Sequence, residues 1–179
     1  MGTRVLSLWL PYFTIDRIRH EQAAPAPGLR VRPRATYGVE KDHPLSTLCP
    51  FAERAGLVRG QPLAEALKAV PGLLTFPDDA SSDQRFLQTC ASWCERYTPF
   101  VAVDRTAPGQ KGAALWLDIG SAAHLAGGEA TLLARLLGQL EKKGLTARAA
   151  IADHPGTAWA ACRFGDNERR ILPANAARV

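Results

Sequence analysis

The sequence predicts an α+β protein of ferredoxin-like type, a four-stranded sheet with helices on one face, interrupted by a small inserted subdomain. Three observations lead there. Once a stretch of short pieces is set aside, the longer segments run strand, helix, helix, strand, strand, helix, strand, helix. The short pieces follow a Pro- and Arg-rich run, residues 23–34, that has no amphipathic period. The chain has 179 residues, 46% hydrophobic and 22% charged, enough to bury one good core or two small ones.

Val5 to Leu10 is an apolar strand, and Thr14 to about Glu21 reads as a helix, with Thr14 as its cap and Ile15 and Ile18 facing inward. Between Ala35 and Pro77 come an extended run through Tyr37 and Val39, a second near Leu45 to Leu48, and two short helices. The first of these, Phe51 to Ala55, stops at Gly56; the second, Pro62 to Val70, has an early Pro and Pro71-Gly72 behind it. Asp79 to Tyr97 starts on Asp and Ser cap residues and carries Phe86, Leu87, Cys90, Trp93, Cys94 and Tyr97 at helical spacing. Phe100 to Asp104 and Ala113 to Ile119 are two strands joined by a hairpin-like loop. Glu129 to Lys143, closed by Gly144, is an amphipathic helix; Thr146 to Ala152 is a strand; a last helix runs from Pro155 to about Phe164. The expected organisation is residues 1–22 and 78–179 as one body and 23–77 as the insertion.

The net charge of +5 makes an acidic partner such as nucleic acid a reasonable expectation without demanding one. The basic residues gather in Arg30, Arg32, Arg34, Lys41, Arg54 and Arg59, and again in Lys142, Lys143, Arg148, Arg163, Arg169 and Arg170. Extended Arg-Val-Arg-Pro-Arg spacing would set guanidinium groups on one side, suited to phosphates or to an acidic protein face. Cys90 and Cys94 share a helix face rather than a CxxC turn, so cysteines as small apolar residues in a reducing cytosol are expected. There is no secretory leader pattern and no apolar run of about 18 residues, which points to a soluble cytoplasmic protein.

Motifs for other chemistries are absent. His20, His43, His124 and His154 show neither HxxxH nor CxxH spacing, Gly127-Gly128 lacks the GKS/T ending of a phosphate loop, and no Ser sits in GxSxG. Asp16, Asp104, Asp118 and Asp153 are scattered, as caps and surface acids are.

Four runs, in order, carry a resemblance. They are Leu6 to Phe13 (Leu-Ser-Leu-Trp-Leu-Pro-Tyr-Phe), Ala55 to Ala66, Leu115 to Glu129 (beginning Leu-Trp-Leu-Asp-Ile-Gly) and Leu145 to Ala160. Together they resemble the N-terminal half of the Y-family (UmuC/DinB-like) translesion DNA polymerases, and most closely the ImuB branch, regarded as inactive. The resemblance implies a palm, 1–22 and 78–179, with fingers inserted at 23–77; thumb and little finger, which grip most of the DNA, would follow Val179. It also implies where polymerase chemistry should lie. The family's Asp-Met-Asp-type segment on the first strand is matched by Leu8-Trp9-Leu10, and its bulky sugar-facing residue by Phe13, for which packing is an equal alternative. The second acidic pair is matched by Ala113-Ala114, or alternatively by Asp104-Arg105 with an insertion after it. The Tyr and Arg that cradle the triphosphate are matched by Pro50 and Glu53, and a carboxylate there repels phosphate. Leucine supplies no oxygen to a magnesium ion, so neither metal nor other cofactor is expected.

By resemblance the role is a non-catalytic adaptor in SOS-induced translesion synthesis and mutagenesis. It would link a RecA-like ImuA-type protein, an error-prone C-family DNA polymerase and the sliding clamp, the last through regions beyond Val179, and contact DNA weakly. Candidate DNA or partner contacts are Arg30, Arg32, Arg34, Arg54 and Arg59. Two other readings stay open: an active polymerase using Asp104 and Asp118 for one metal, and a nucleic-acid-binding module using the Arg-rich insertion.

Overall fold

A computed structural model describes residues 3–22, 32–104 and 112–173. Arg30, the expected 105–112 loop apart from Gly112, and residues 174–179 lie outside it. The chain divides into two compact units, one of residues 1–11 and 84–179 and the other of residues 12–83.

In order, the elements are β1 (Val5–Leu10), α1 (Phe13–Glu21), β2 (Arg34–Tyr37), β3 (Leu45–Leu48), α2 (Pro50–Arg54), α3 (Leu63–Ala69), β4 (Leu74–Pro77), α4 (Ala80–Cys94), β5 (Val101–Val103), β6 (Ala113–Asp118), α5 (Glu129–Lys142), β7 (Arg148–Ala152), α6 (Pro155–Phe164) and β8 (Arg169–Ile171). The larger unit is built on one sheet of order β5-β6-β1-β7-β8. Its first four strands have the ferredoxin-like arrangement, with β1 central and antiparallel to both β6 and β7. The sheet has five strands among the described residues rather than the four expected: β8 adds to the outside of β7 in parallel. Three exposed residues, two of them Arg, show no apolar pattern, which is why this edge strand has no sequence signature.

Alternation along β1 decides what each residue touches. Leu6, Leu8 and Leu10 are completely buried on one face. Ser7 and Trp9 lie on the other, where α6 packs: Arg163 stands over the Trp9 ring and Cys162 Sγ donates to the carbonyl of Arg148, the β7 partner of Trp9. Both faces are therefore covered, not one. Helix α5 contributes Leu132, Leu133, Leu136 and Leu140, all buried, and starts from Gly128, whose φ of 100° suits glycine. Gly127-Gly128 thus ends a short 3-10 turn, Ala123–Ala126, and opens α5. At the far end of β1, Arg4 forms a bidentate pair with Glu129, 2.6 and 2.7 Å, and donates to the Leu172 carbonyl. This ties the starts of β1 and α5 to the segment behind β8.

The smaller unit holds the sheet β3-β2-β4, with β4 parallel to β2. Its core is Ile15, Ala35, Leu45, Leu48, Cys49, Ala52, Leu57, Ala66 and Leu73. Ile15 is the reason that α1 groups with the insertion and the units divide at 11/12 and 83/84, rather than at 22/23 and 77/78. Thr14 does not cap α1. Its hydroxyl donates to Asp83, and the cap position is Tyr12. Arg17, 3% exposed, donates to Asp83 at 2.6 Å and Glu21 at 2.8 Å.

The four cysteines are free and buried. Burial pushes the Cys90 and Cys162 thiols up to about 11 and Cys94 up to about 12. Because the thiolate is the nucleophile, alkylation of these three in the native protein at pH 8 is expected to be at least about a hundredfold slower than in the urea-unfolded chain, and slowest at Cys94. Iodoacetamide pulses read by mass spectrometry check it.

Candidate functional site

Strand pairing lays four residues in one row across the α6 side of the larger sheet. Trp9 on β1 is opposite Ala114 on β6 and Arg148 on β7. Asp104, directly after β5, extends the row by donating its backbone N–H to the Ala114 carbonyl at 2.9 Å. From α6 above, Arg163 Nη2 reaches Asp104 Oδ2 at 3.6 Å, with side chains only 10% and 4% exposed. The Arg163 guanidinium lies 5.4 Å from the Trp9 ring centre and 4.7 Å from that of Trp159, and Arg148 is 5.9 Å from Trp9. Arg148 also donates to the Gly165 carbonyl, which fixes the chain leaving α6. Burial draws Arg163 below the ordinary guanidinium value, opposed by Cys162 and Asp104.

The sequence-derived positions fall around this row as follows. Leu8 and Leu10 belong to the same strand but to its opposite, fully buried face. Leu10 pairs with Ala113 and Leu8 with Leu115, so the two segments matched to the family's acids do meet as neighbouring strands. Of the Leu8-Trp9-Leu10 segment, it is Trp9 that shares a face with Asp104. Asp118 pairs with Val5 at the other end of β6 and is not on the row. Its carboxylate accepts from the Gly120 N–H.

In the smaller unit, Phe13 is 3% exposed, a packed residue. Pro50 is the first residue of α2, and Glu53 accepts a 3.2 Å hydrogen bond from the Tyr12 hydroxyl. Among the described residues, Arg34 and Arg32 do not line up on one exposed side. Arg34 is 2% exposed, so its guanidinium is inside the unit, and burial lowers its pKa, with Arg19 and Arg32 adding to the effect. Arg32 donates to the Gly72 carbonyl and Arg59 to that of Ser46, while Arg54 lies over the Phe51 ring. A buried first residue of β2 cannot present its side chain with Arg32.

A magnesium ion asks for about six oxygen ligands in octahedral array. Among the described residues no group of three or more His, Cys, Asp or Glu could hold a metal ion. On the row itself Asp104 is the acid, and its carboxylate already faces a guanidinium. The donor set here does not fit a two-metal centre. Sequence reasoning named Trp9, Asp104, Arg148 and Arg163 without joining them. The period of two along β1 separates Trp9 from the leucines and was the available signal; the approach of Arg163, 154 residues further on, had none.

This sheet order with its inserted unit defines a Y-family polymerase fold of palm and fingers. The chain aligns over 96% of its length with the "Crystal Structure of DinB from Sulfolobus solfataricus", TM-score 0.70, 14% identity, covering 48% of that chain. It aligns equally well with the "Y-family DNA polymerase chimera Dbh-Dpo4(243-245)-Dbh", TM-score 0.72, 14% identity, 96% of this chain and 49% of the other. The chain belongs to the impB/mucB/samB family, whose sequence profile matches residues 12–163. It is an ImuB-like homologue: over 110 residues, 62% of this chain, it is 46% identical to Protein ImuB of Caulobacter vibrioides, in each of two strains. It spans 23% of the length of that relative.

Proposed function

We propose that this chain is the palm-and-fingers part of a non-catalytic Y-family-like protein in DNA-damage tolerance, acting as an adaptor in SOS-induced translesion synthesis. The observation that carries this reading is the content of the paired segments on β1 and β6. By the resemblance, Leu8, Leu10, Ala113 and Ala114 stand where active members keep their acids and bring no metal ligand; on the other face of β1, which Trp9 shares with Asp104, that carboxylate is held by Arg163. Without bound divalent ions, neither activation of the attacking oxygen nor neutralisation of the leaving phosphate is available. Glu53, held by Tyr12, adds a negative charge where a triphosphate would need a cation.

An adaptor keeps the body of the fold for its surfaces. The partners in this reading are a RecA-like ImuA-type protein, an error-prone C-family polymerase and the sliding clamp, with weak contact to DNA in the nucleoid. Primer extension by the full-length protein with Mg²⁺ or Mn²⁺ is expected to match the enzyme-free blank. Incorporation that is lost on Asp104→Ala or Asp118→Ala would establish the active-polymerase reading instead. Co-purification of the full-length protein with the three partners tests the adaptor role, and failure to retain any of them would remove it.

A further inference from the structure

We infer that the Arg163 guanidinium is this chain's built-in counter-cation for Asp104, and that it keeps divalent metal ions off that carboxylate. The inference rests on the non-catalytic reading above and names the residue that enforces it. Asp104 sits at the end of β5 in register with Ala114 and Trp9. Its side chain is 4% exposed. A carboxylate withdrawn this far from water is stabilised by a positive charge beside it.

That charge could come from a metal or from the protein, and here the protein supplies it. Arg163 approaches from α6, a helix that also covers Ser7 and Trp9, so its position is set by the packing of the helix on the sheet. Two indoles bracket the guanidinium, and their π faces favour a cation while offering no oxygen to a metal. Arg163 Nη1 is buried with no hydrogen-bond partner. Charge and the rings, rather than a hydrogen-bond network, therefore hold the group. Arg148 places a second positive charge over Trp9. A divalent ion arriving at Asp104 would meet the Arg163 guanidinium and the indoles beside it in place of the water and carboxylates it needs.

Mn²⁺ is the probe, and the experiment uses the full-length protein with Arg163→Met, Asp104→Asn and the double variant, reading thermal midpoints with and without millimolar Mn²⁺. Mn²⁺ is expected to leave the unsubstituted protein and Asp104→Asn unchanged and to raise the Arg163→Met midpoint by about 2 °C or more. The gain should vanish in the double variant. Arg163→Gln, which keeps most of the stem, serves if Arg163→Met does not fold. The inference is overturned if Mn²⁺ raises the unsubstituted protein's midpoint equally, if removing Arg163 brings no response, or if the response survives Asp104→Asn. Primer extension by the unsubstituted protein would sink the non-catalytic reading and is scored separately from these midpoints.

Discussion

Leu8→Asp is expected to abolish cooperative folding of the five-stranded sheet rather than to restore a metal ligand. Leu8 is 0% exposed, between Leu115 on β6 and Ala149 on β7. Deleting a buried leucine side chain alone costs about 2–5 kcal/mol. The aspartate adds the penalty of a carboxylate with no partner on that face, several kcal/mol even after relaxation. Domain stabilities are about 5–15 kcal/mol, so the sum consumes most of the margin. Thermal unfolding followed by circular dichroism should show a lost or greatly lowered transition, and Mg²⁺ should not restore it. Trp9→Asp makes the instructive contrast. It removes more apolar surface, yet sets its carboxylate beside Arg148 and Arg163, and is expected to keep a cooperative transition. Equal damage from the two substitutions would show that the face of β1, not merely its apolar content, had been misassigned.

The same contrast explains what sequence reading reached and what it missed. Periodicity located β1, β6, α5, β7 and α6 to within a residue or two, because each buries one regular face and the pattern is local. Strand β4 escaped because four residues ending in Pro77 are no pattern in themselves; their pairing with β2 comes from some forty residues earlier in the chain. Strand β8 escaped for the parallel reason on β7. For the candidate site, the family's acidic positions could be matched along the strand, but which face each matched residue occupies depends on the helix laid over the sheet. Leu8 and Leu10 proved to be core, and the polar row formed around Trp9 from residues that chain distance keeps apart. Arg34 was misplaced for a similar reason: it opens a strand whose first residue is buried, and burial is a tertiary fact.

Asp83→Ala is the other substitution with a large expected effect, because it strands Arg17. The Arg17 side chain is 4% exposed, and its Nε is paired with Asp83 at 2.6 Å. The remaining partner, Glu21, is on the same helix and 53% exposed. Removing one member of a buried pair leaves an uncompensated charge and costs about 3–5 kcal/mol. Losing the exposed member costs about 0–1 kcal/mol. The Thr14 hydroxyl loses its acceptor as well, since it donates to the same carboxylate at 2.8 Å. Asp83→Ala is therefore expected to lower the urea midpoint strongly and Glu21→Ala barely. Amide exchange should quicken first through α1 and its core neighbours on β2 and β3, the residues grouped with Ile15. Arg17→Met combined with Asp83→Leu should recover much of the loss, because an apolar pair carries no desolvation penalty. If Asp83→Ala and Glu21→Ala prove equally mild, Arg17 is stabilised by helix α1 alone, and the Asp83 contact contributes nothing to the smaller unit.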